Sequence, residues 1–372
     1  MKKALYITCY NITDPTDGIS KKIQQQLVAL HEIGYEVNAA YSEKGCLRLV
    51  YNCGQSFSSG NLSEIKSSKP LFFLRLAAFL KNEATNYDVF YIRNPHGNLY
   101  SLFFSYFLYA ASHLSKKVIL EIPSYPYDDE VQGLLSKLSL IIHKIQRPFF
   151  KLYISKIFYT GMLVDQIWGV PSSRIYNSCD PSDVPLANFN HSPCPKAIRL
   201  IAVANLAPWH GYDRVLYGLH YYINSSSHEC NVFFHIVGDN EPEFSRLKKI
   251  TENLGLDHYV KFHGRMISSQ IDNLFVGCSV GVDSLGRHRS GNSYNDSIKS
   301  KEYAFRGVPF IKSHRDDSFN NVGFVYNAPQ DDSWLMIEEI VDWVSCSDFD
   351  TYAIRDFAMN NFQWKKQLEK FI

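Results

Sequence analysis

The chain has 372 residues, 45% of them hydrophobic and 20% charged, and a net charge of +1. That length exceeds one ordinary core and suits two α/β domains of about 150 to 200 residues each. The balanced charge gives no global signal for nucleic acid, so any anion site has to be local. Eight cysteines show no CxxC pair and no histidine at zinc-ligand spacing, which disfavours a disulfide framework or a metal centre and points to free thiols in a reducing cytoplasm.

The opening MKKALYITCYNITDP has the lysines of a signal peptide, but its apolar run is too short and no small-residue cleavage site follows, so it reads as a first strand. KKIQQQLVALHEIG then has helical spacing, and VNAAYS and VFYIR are strand-like. The longest apolar run, LFFSYFLYAA at 102–111, falls short of the ~20 residues that span a bilayer and reads as a buried helix. KVILEIP, KIFYT and RIYN continue the strands. Prolines 181, 185, 193 and 195 then mark a linker, because proline donates nothing to a strand ladder. Alternation restarts with IRLIAVAN and runs through VFFHIVGD, EFSRLKKITENLG, VKFHG, VGVDS, a helix around Glu302, VPFIKS and GFVYNAP. Two helical stretches close the chain. The expected organisation is an α/β chain with a Rossmann-like domain over 1–180, a linker over 181–196, a second Rossmann-like domain over 197–350, and a C-terminal helix over 351–372 closing onto the first domain.

Three strand-to-helix loops are candidates for the chemistry, since open parallel sheets bind ligands at the carboxyl ends of their strands. In NITDPTDGISKKI, Gly18 lets backbone approach a ligand and Ser20 is placed to cap the next helix. No GxGxxG is present, and an ordinary βα turn explains the stretch equally well. In ANLAPWHGYDRVL, His210 is placed to hydrogen-bond a phosphate, as a cation where that partner raises its pKa; packing of Trp209 and His210 against the sheet is the equal alternative. In SYNDSIKSKEYAFRG, Ser293, Asn295 and Ser297 bring hydroxyls and an amide, the backbone at 296–299 brings N–H groups at a helix start, and Lys299 brings charge. Glu302 stands where a carboxylate can accept both hydroxyls of a ribose. A surface glutamate favoured by the helix dipole is the plain alternative.

Taken in order, DGIS, RIYNSCD, LIAVANLAPWHGYDRVL, FFHIVGDNEPEFSRLKKITENLGLDHYVKFHGRM and SIKSKEYAFRGVPFI resemble the motifs of the family 4 glycosyltransferases, over nearly the whole chain. The resemblance implies the GT-B fold, two Rossmann-like domains facing across a cleft, and retaining transfer of a sugar from a nucleotide diphosphate donor to a hydroxyl. It implies Glu302 as the second acid of the family's Glu-x7-Glu motif, Gly264, Arg265 and Met266 at the nucleobase, and Ser297, Ile298 and Lys299 at the diphosphate and donor sugar. Tyr294 stands where the first acid belongs, and Asn205 and His210 stand where the family has an arginine and a lysine. Arg287, His288, Arg289 and Lys299 are candidates to restore that charge. In the first domain, Glu121 and His96 are the candidate catalytic or hydroxyl-binding residues, with Arg93 as a competitor and a structural histidine as the alternative for His96.

No metal and no cofactor beyond the donor co-substrate are expected. The expected partners are a nucleotide-sugar and a sugar or lipid-linked acceptor, as in polysaccharide or lipid-linked oligosaccharide synthesis, with no nucleic acid. Residues 66–81 and 143–156 mix basic with aromatic side chains; both peripheral contact with the cytoplasmic membrane face and plain amphipathic helices fit them. The departures at Tyr294, Asn205 and His210 leave open a catalytically silent GT-B-like partner.

Overall fold

The computed structural model describes residues 1–14, 17–54, 62–83, 86–95, 99–128, 133–187, 196–225, 230–291 and 293–370. His96, Pro193 and Pro195 lie outside the described residues. The chain forms two compact units, Met1–Tyr176 with Trp364–Ile372, and Asn177–Gln363. No helix among the described residues is long and apolar enough to cross a membrane.

The first unit runs β1 (Lys2–Ile7), α1 (Gly18–Glu32), β2 (Tyr35–Glu43), β3 (Cys46–Val50), β4 (Leu62–Lys66), α2 (Phe72–Asn82), β5 (Tyr87–Arg93), α3 (Phe104–Leu114), β6 (Ser115–Tyr125), α4 (Leu134–Phe150), β7 (Lys156–Gly161), β8 (Gln166–Ile167) and β9 (Val170–Arg174). Its sheet has the order β4-β3-β2-β1-β5-β6-β7-β9-β8. Strands β2, β1, β5, β6, β7 and β9 pair in parallel, while β3, β4 and β8 join antiparallel. A parallel sheet is covered on both faces, which is why successive residues of one strand are all apolar. On β1, Leu5 and Ile7 enter one core while Ala4 and Tyr6 enter the other. Asp17, rather than the expected Ser20, caps α1: its carboxylate accepts the Ser20 N–H at 2.9 Å, and the Ser20 hydroxyl donates to Asn11 O at 2.7 Å. The apolar run at 102–111 lies mainly in α3, which buries Phe104, Phe107, Leu108 and Ala111.

The second unit runs β10 (Ala197–Val203), α5 (Asp213–Asn224), β11 (Asn231–Val237), α6 (Glu243–Asn253), β12 (Val260–Gly264), α7 (Ser268–Phe275), β13 (Val280–Val282), α8 (Ile298–Phe305), β14 (Phe310–Lys312), β15 (Val325–Asn327), α9 (Ile337–Cys346) and α10 (Thr351–Asn361). Its sheet, β12-β11-β10-β13-β14-β15, is parallel throughout. This is the doubly wound order, in which the winding direction reverses between β10 and β13.

The described part of 351–372 holds two helices with different partners rather than one. α10 packs on α8 within the second unit, and Arg355 there donates to Val184 O at 2.9 Å and Pro181 O at 3.0 Å. α11 (Trp364–Glu369) packs on α1 of the first unit, where Trp364 and Leu368 join the core.

Candidate donor site in the second unit

A doubly wound sheet leaves a crevice at the carboxyl ends of the strands flanking the reversal. Here those strands are β10 and β13, and their loops are stitched together: the Leu285 N–H donates to His210 O at 2.8 Å and the Gly286 N–H to Trp209 O at 3.2 Å. The close approach depends on Gly211, which has φ +64° and where a Cβ would lie 2.6 Å from the Gly286 nitrogen. From α5, the buried Arg214 guanidinium donates to Leu285 O and, at 2.6 Å, to Ser333 O, which pins the second loop from below.

Asp283, the first residue beyond β13, is fully buried. Its carboxylate accepts from the Ser300 hydroxyl and, at 2.7 Å, from the Ser284 N–H, and pairs with Lys299 Nζ at 3.1 Å. Lys299 also donates to Ser284 Oγ at 3.0 Å. Burial alone raises a carboxyl pKa, but Lys299, His314 and hydrogen bonds from Ser300 and Ser297 outweigh it and hold Asp283 well below the usual carboxylate range.

His210 is 9% exposed, stacks on Tyr212 and accepts the Ala207 N–H on Nδ1 at 3.1 Å, which leaves its proton on Nε2. Burial, then the charges of Lys299 and Arg287, push its pKa down to about 2 against the opposing pull of Asp283. The expected cation is therefore a neutral ring with one N–H to offer. Of the four basic side chains expected to restore charge, two are engaged by acids of other segments: Arg289 donates to Asp213 at 2.9 Å and Asp332 at 2.7 Å, and His288 meets Asp332 at 3.1 Å. Arg287 and Lys299 are the cations whose fields act on His210.

Lys299 and Glu302 are three residues apart on α8 and share a face. Glu302 is 29% exposed, and its Oε1 accepts from Arg306 Nη2 at 3.0 Å; Arg306 also meets Asp272 at 2.7 Å. Ser297, at the helix cap, is buried and Ile298, the first residue of α8, is exposed, and the stretch before the helix is strapped by Asn295 N–H to Arg315 O at 3.0 Å and Arg315 N–H to Ser293 O at 2.7 Å. Asp296 points inward instead, accepting the Asn177 N–H and pairing with Lys301, both at 2.5 Å; Lys301 in turn meets Asp316 at 2.7 Å. Asn205 is exposed in the loop after β10. Gly264 ends β12 with φ +65°, its oxygen accepting the Gly238 N–H at 2.8 Å; Arg265 beyond it is exposed and Met266 half-buried.

In the first unit the expected residues have different surroundings. Glu121 has no solvent exposure. Its carboxylate meets Lys22 at 3.2 Å, Arg93 at 3.1 Å, Gln26 at 3.0 Å and Tyr91 at 2.9 Å. Burial raises its pKa, and Lys22 and Arg93 more than reverse this. With both oxygens engaged, Glu121 is a core ion-pair residue rather than a group that meets substrate hydroxyls. Gly18 opens α1, and a Cβ there would meet nothing within 4 Å.

No family model matches the chain, and no curated protein matches it. Solved structures do. Sucrose-phosphate synthase from Thermosynechococcus elongatus is 13% identical with a TM-score of 0.62, over 100% of this chain and 98% of that one. A glycosyltransferase from Rickettsia africae is 13% identical with a TM-score of 0.61, over 99% and 96%. Anabaena HepE in complex with UDP and glucose is 13% identical with a TM-score of 0.58, over 100% and 99%. The chain has the GT-B fold.

Within this GT-B chain, the structure gathers His210, Ser297, Lys299 and Glu302 on the elements around one crevice. It adds three residues that the sequence reading passed over. Asp283 sat at the end of an apolar run that read as strand. Ser284 and Arg214 carried no signal of their own, since each acts through a partner distant in sequence. A carboxylate directly after a short buried strand was the available clue to Asp283.

Proposed function

We propose that the protein is a retaining glycosyltransferase that moves a sugar from a nucleotide diphosphate sugar to a hydroxyl acceptor, in cell-surface polysaccharide or lipid-linked oligosaccharide synthesis. The observation that carries this reading is the crevice at the β10/β13 reversal, where a neutral His210, the Lys299–Asp283 pair, the start of α8 and Glu302 converge. A departing diphosphate gains charge in the transition state, and cations and N–H donors fixed beforehand lower that barrier without reorganising. Lys299 and Arg287 supply charge, His210 Nε2 and the first N–H groups of α8 supply hydrogen bonds, and Glu302 takes the ribose hydroxyls. Asp283 fixes the Lys299 ammonium. The donor is a co-substrate, and no other cofactor is assigned. The UDP and glucose bound to HepE, a structure of the same fold, agree in chemical class with this donor.

A second reading, a nucleotide-sugar-binding subunit without turnover, is favoured by Tyr294, which is 9% exposed where the resemblance places a carboxylate. One experiment addresses both: calorimetric titration of UDP-, GDP- and dTDP-sugars into the parent and Glu302→Ala, with release of free nucleotide followed in parallel. One nucleotide class should bind, and Glu302→Ala should weaken it about 10- to 100-fold, the cost of losing a charge-assisted hydrogen-bond acceptor. Unchanged affinity removes the ribose assignment; binding without nucleotide release selects the second reading.

A further inference from the structure

The first unit carries an apolar face that its own core does not use. α4 turns Ser139, Leu140, His143 and Phe150 inward. On the opposite side Leu134, Leu138, Ile141, Ile145 and Phe149 recur every three or four residues, the spacing of a single helical face, and they are 50% to 76% exposed. A helix of a water-soluble domain ordinarily turns such a stripe to the core; this one turns it to solvent. The neighbouring α3 adds Tyr106 and Tyr109, both more than 40% exposed, and Gln146 of α4 donates to Leu102 O at 3.4 Å beside them.

Charge is arranged around this stripe. Lys137, Lys144 and Lys151 are exposed and fall seven residues apart, two helical turns, so they form one row along a flank of the apolar face. α4 contains no aspartate or glutamate. Lys144 pairs with Asp128, outside the helix, at 3.0 Å, but two copies meeting through this face would still set Lys137 and Lys151 against their counterparts with no acid on the helix to answer them. An anionic surface with an apolar interior answers both features at once.

We propose that this face docks the protein on an anionic lipid bilayer, with α4 lying in the interface, its leucines and isoleucines at the acyl boundary, its lysine row at the lipid phosphates and the tyrosines at headgroup level. The test is cosedimentation of the full chain with vesicles of phosphatidylcholine alone and with about one-third phosphatidylglycerol. Pelleting is expected only with the anionic vesicles, and it weakens as salt rises. Lys137→Glu/Lys151→Glu should lower vesicle affinity at least about tenfold, since each basic residue near such a surface contributes about fivefold. Ile141→Ser/Ile145→Ser should abolish pelleting. Both variants keep the parent's melting temperature and nucleotide-sugar binding, which separates lost docking from lost folding. Three results would overturn the proposal: no pelleting with anionic vesicles, equal pelleting of the variants and the parent, or a dimer in sizing chromatography that Ile145→Glu dissociates. Vesicle binding is read without donor present, so its failure leaves the sugar-transfer reading standing.

Discussion

Each unit buries a carboxylate near the carboxyl end of a parallel strand and meets it with a lysine, yet the two sites are built for different ends. Around Glu121 the partners are themselves enclosed: the Lys22 and Arg93 side chains are 6% and 5% exposed. Gln26 links the carboxylate onward to the Tyr6 hydroxyl at 2.7 Å, and the Lys22 ammonium sits over the Trp364 ring. Around Asp283 the carboxylate is as deep, but Lys299 is 19% exposed and His210 is close by. A buried charge is costly in either place. In the first unit the charge ties β5, β6 and α1 together; in the second it orients a cation that still reaches solvent. The lysine's exposure, rather than the carboxylate's burial, separates the sealed cluster from the one proposed to meet the donor.

The comparison predicts unequal responses to mutation. Glu121→Ala leaves Lys22 and Arg93 buried without their counter-ion and should cost about 3 to 5 kcal/mol in chemical denaturation, with nucleotide-sugar affinity kept in the folded fraction. A loss below about 1 kcal/mol, the range of an exposed ion pair, would mean the cluster is not sealed. Lys299→Met should act on binding instead, lowering donor affinity about 10- to 100-fold in calorimetry. Donor affinity equal to the parent's would take the donor away from this crevice.

The smallest effect, taken per pH unit, is a slope of stability against pH. The His210 pKa falls from about 6.5 when unfolded to about 2 when folded. Between those values the unfolded state binds more protons, so the contribution is complete above about pH 6.5 and is lost as pH falls, by about 1.4 kcal/mol per unit. Denaturation midpoints from pH 7 down to about 4 should therefore fall less steeply in His210→Gln than in the parent; parallel slopes would place His210 in water.

The parallel sheets were legible because their strands are apolar on both faces, as in ALYI of β1 and LIAV of β10. The β3–β4 hairpin was not, because β4 buries no residue, alternating exposed with half-exposed positions without a polar–apolar alternation, and its partner is only five residues long. α7 escaped notice for a similar reason: Phe275 is its one fully buried residue, too little to make a stripe. At the site, Lys299 and Glu302 could be read from one short segment. Glu121 looked functional because a carboxylate in an apolar strand demands a task, and the sequence cannot display that Lys22 and Gln26, about a hundred residues earlier, supply it. Local pattern reveals which groups need partners; the partners themselves are chosen by the topology.

The return of α11 to the first unit also bears on the order of synthesis. Residues 1–176 leave the ribosome first, yet Trp364 and Leu368 belong to their core, and Gln367 brackets Tyr176 by accepting its N–H at 2.7 Å and donating to its oxygen at 3.1 Å. The whole second unit must be translated in between, which takes on the order of tens of seconds at ordinary elongation rates. Through that interval α1 waits with part of its apolar side uncovered, so the first unit to be made is the last to be finished.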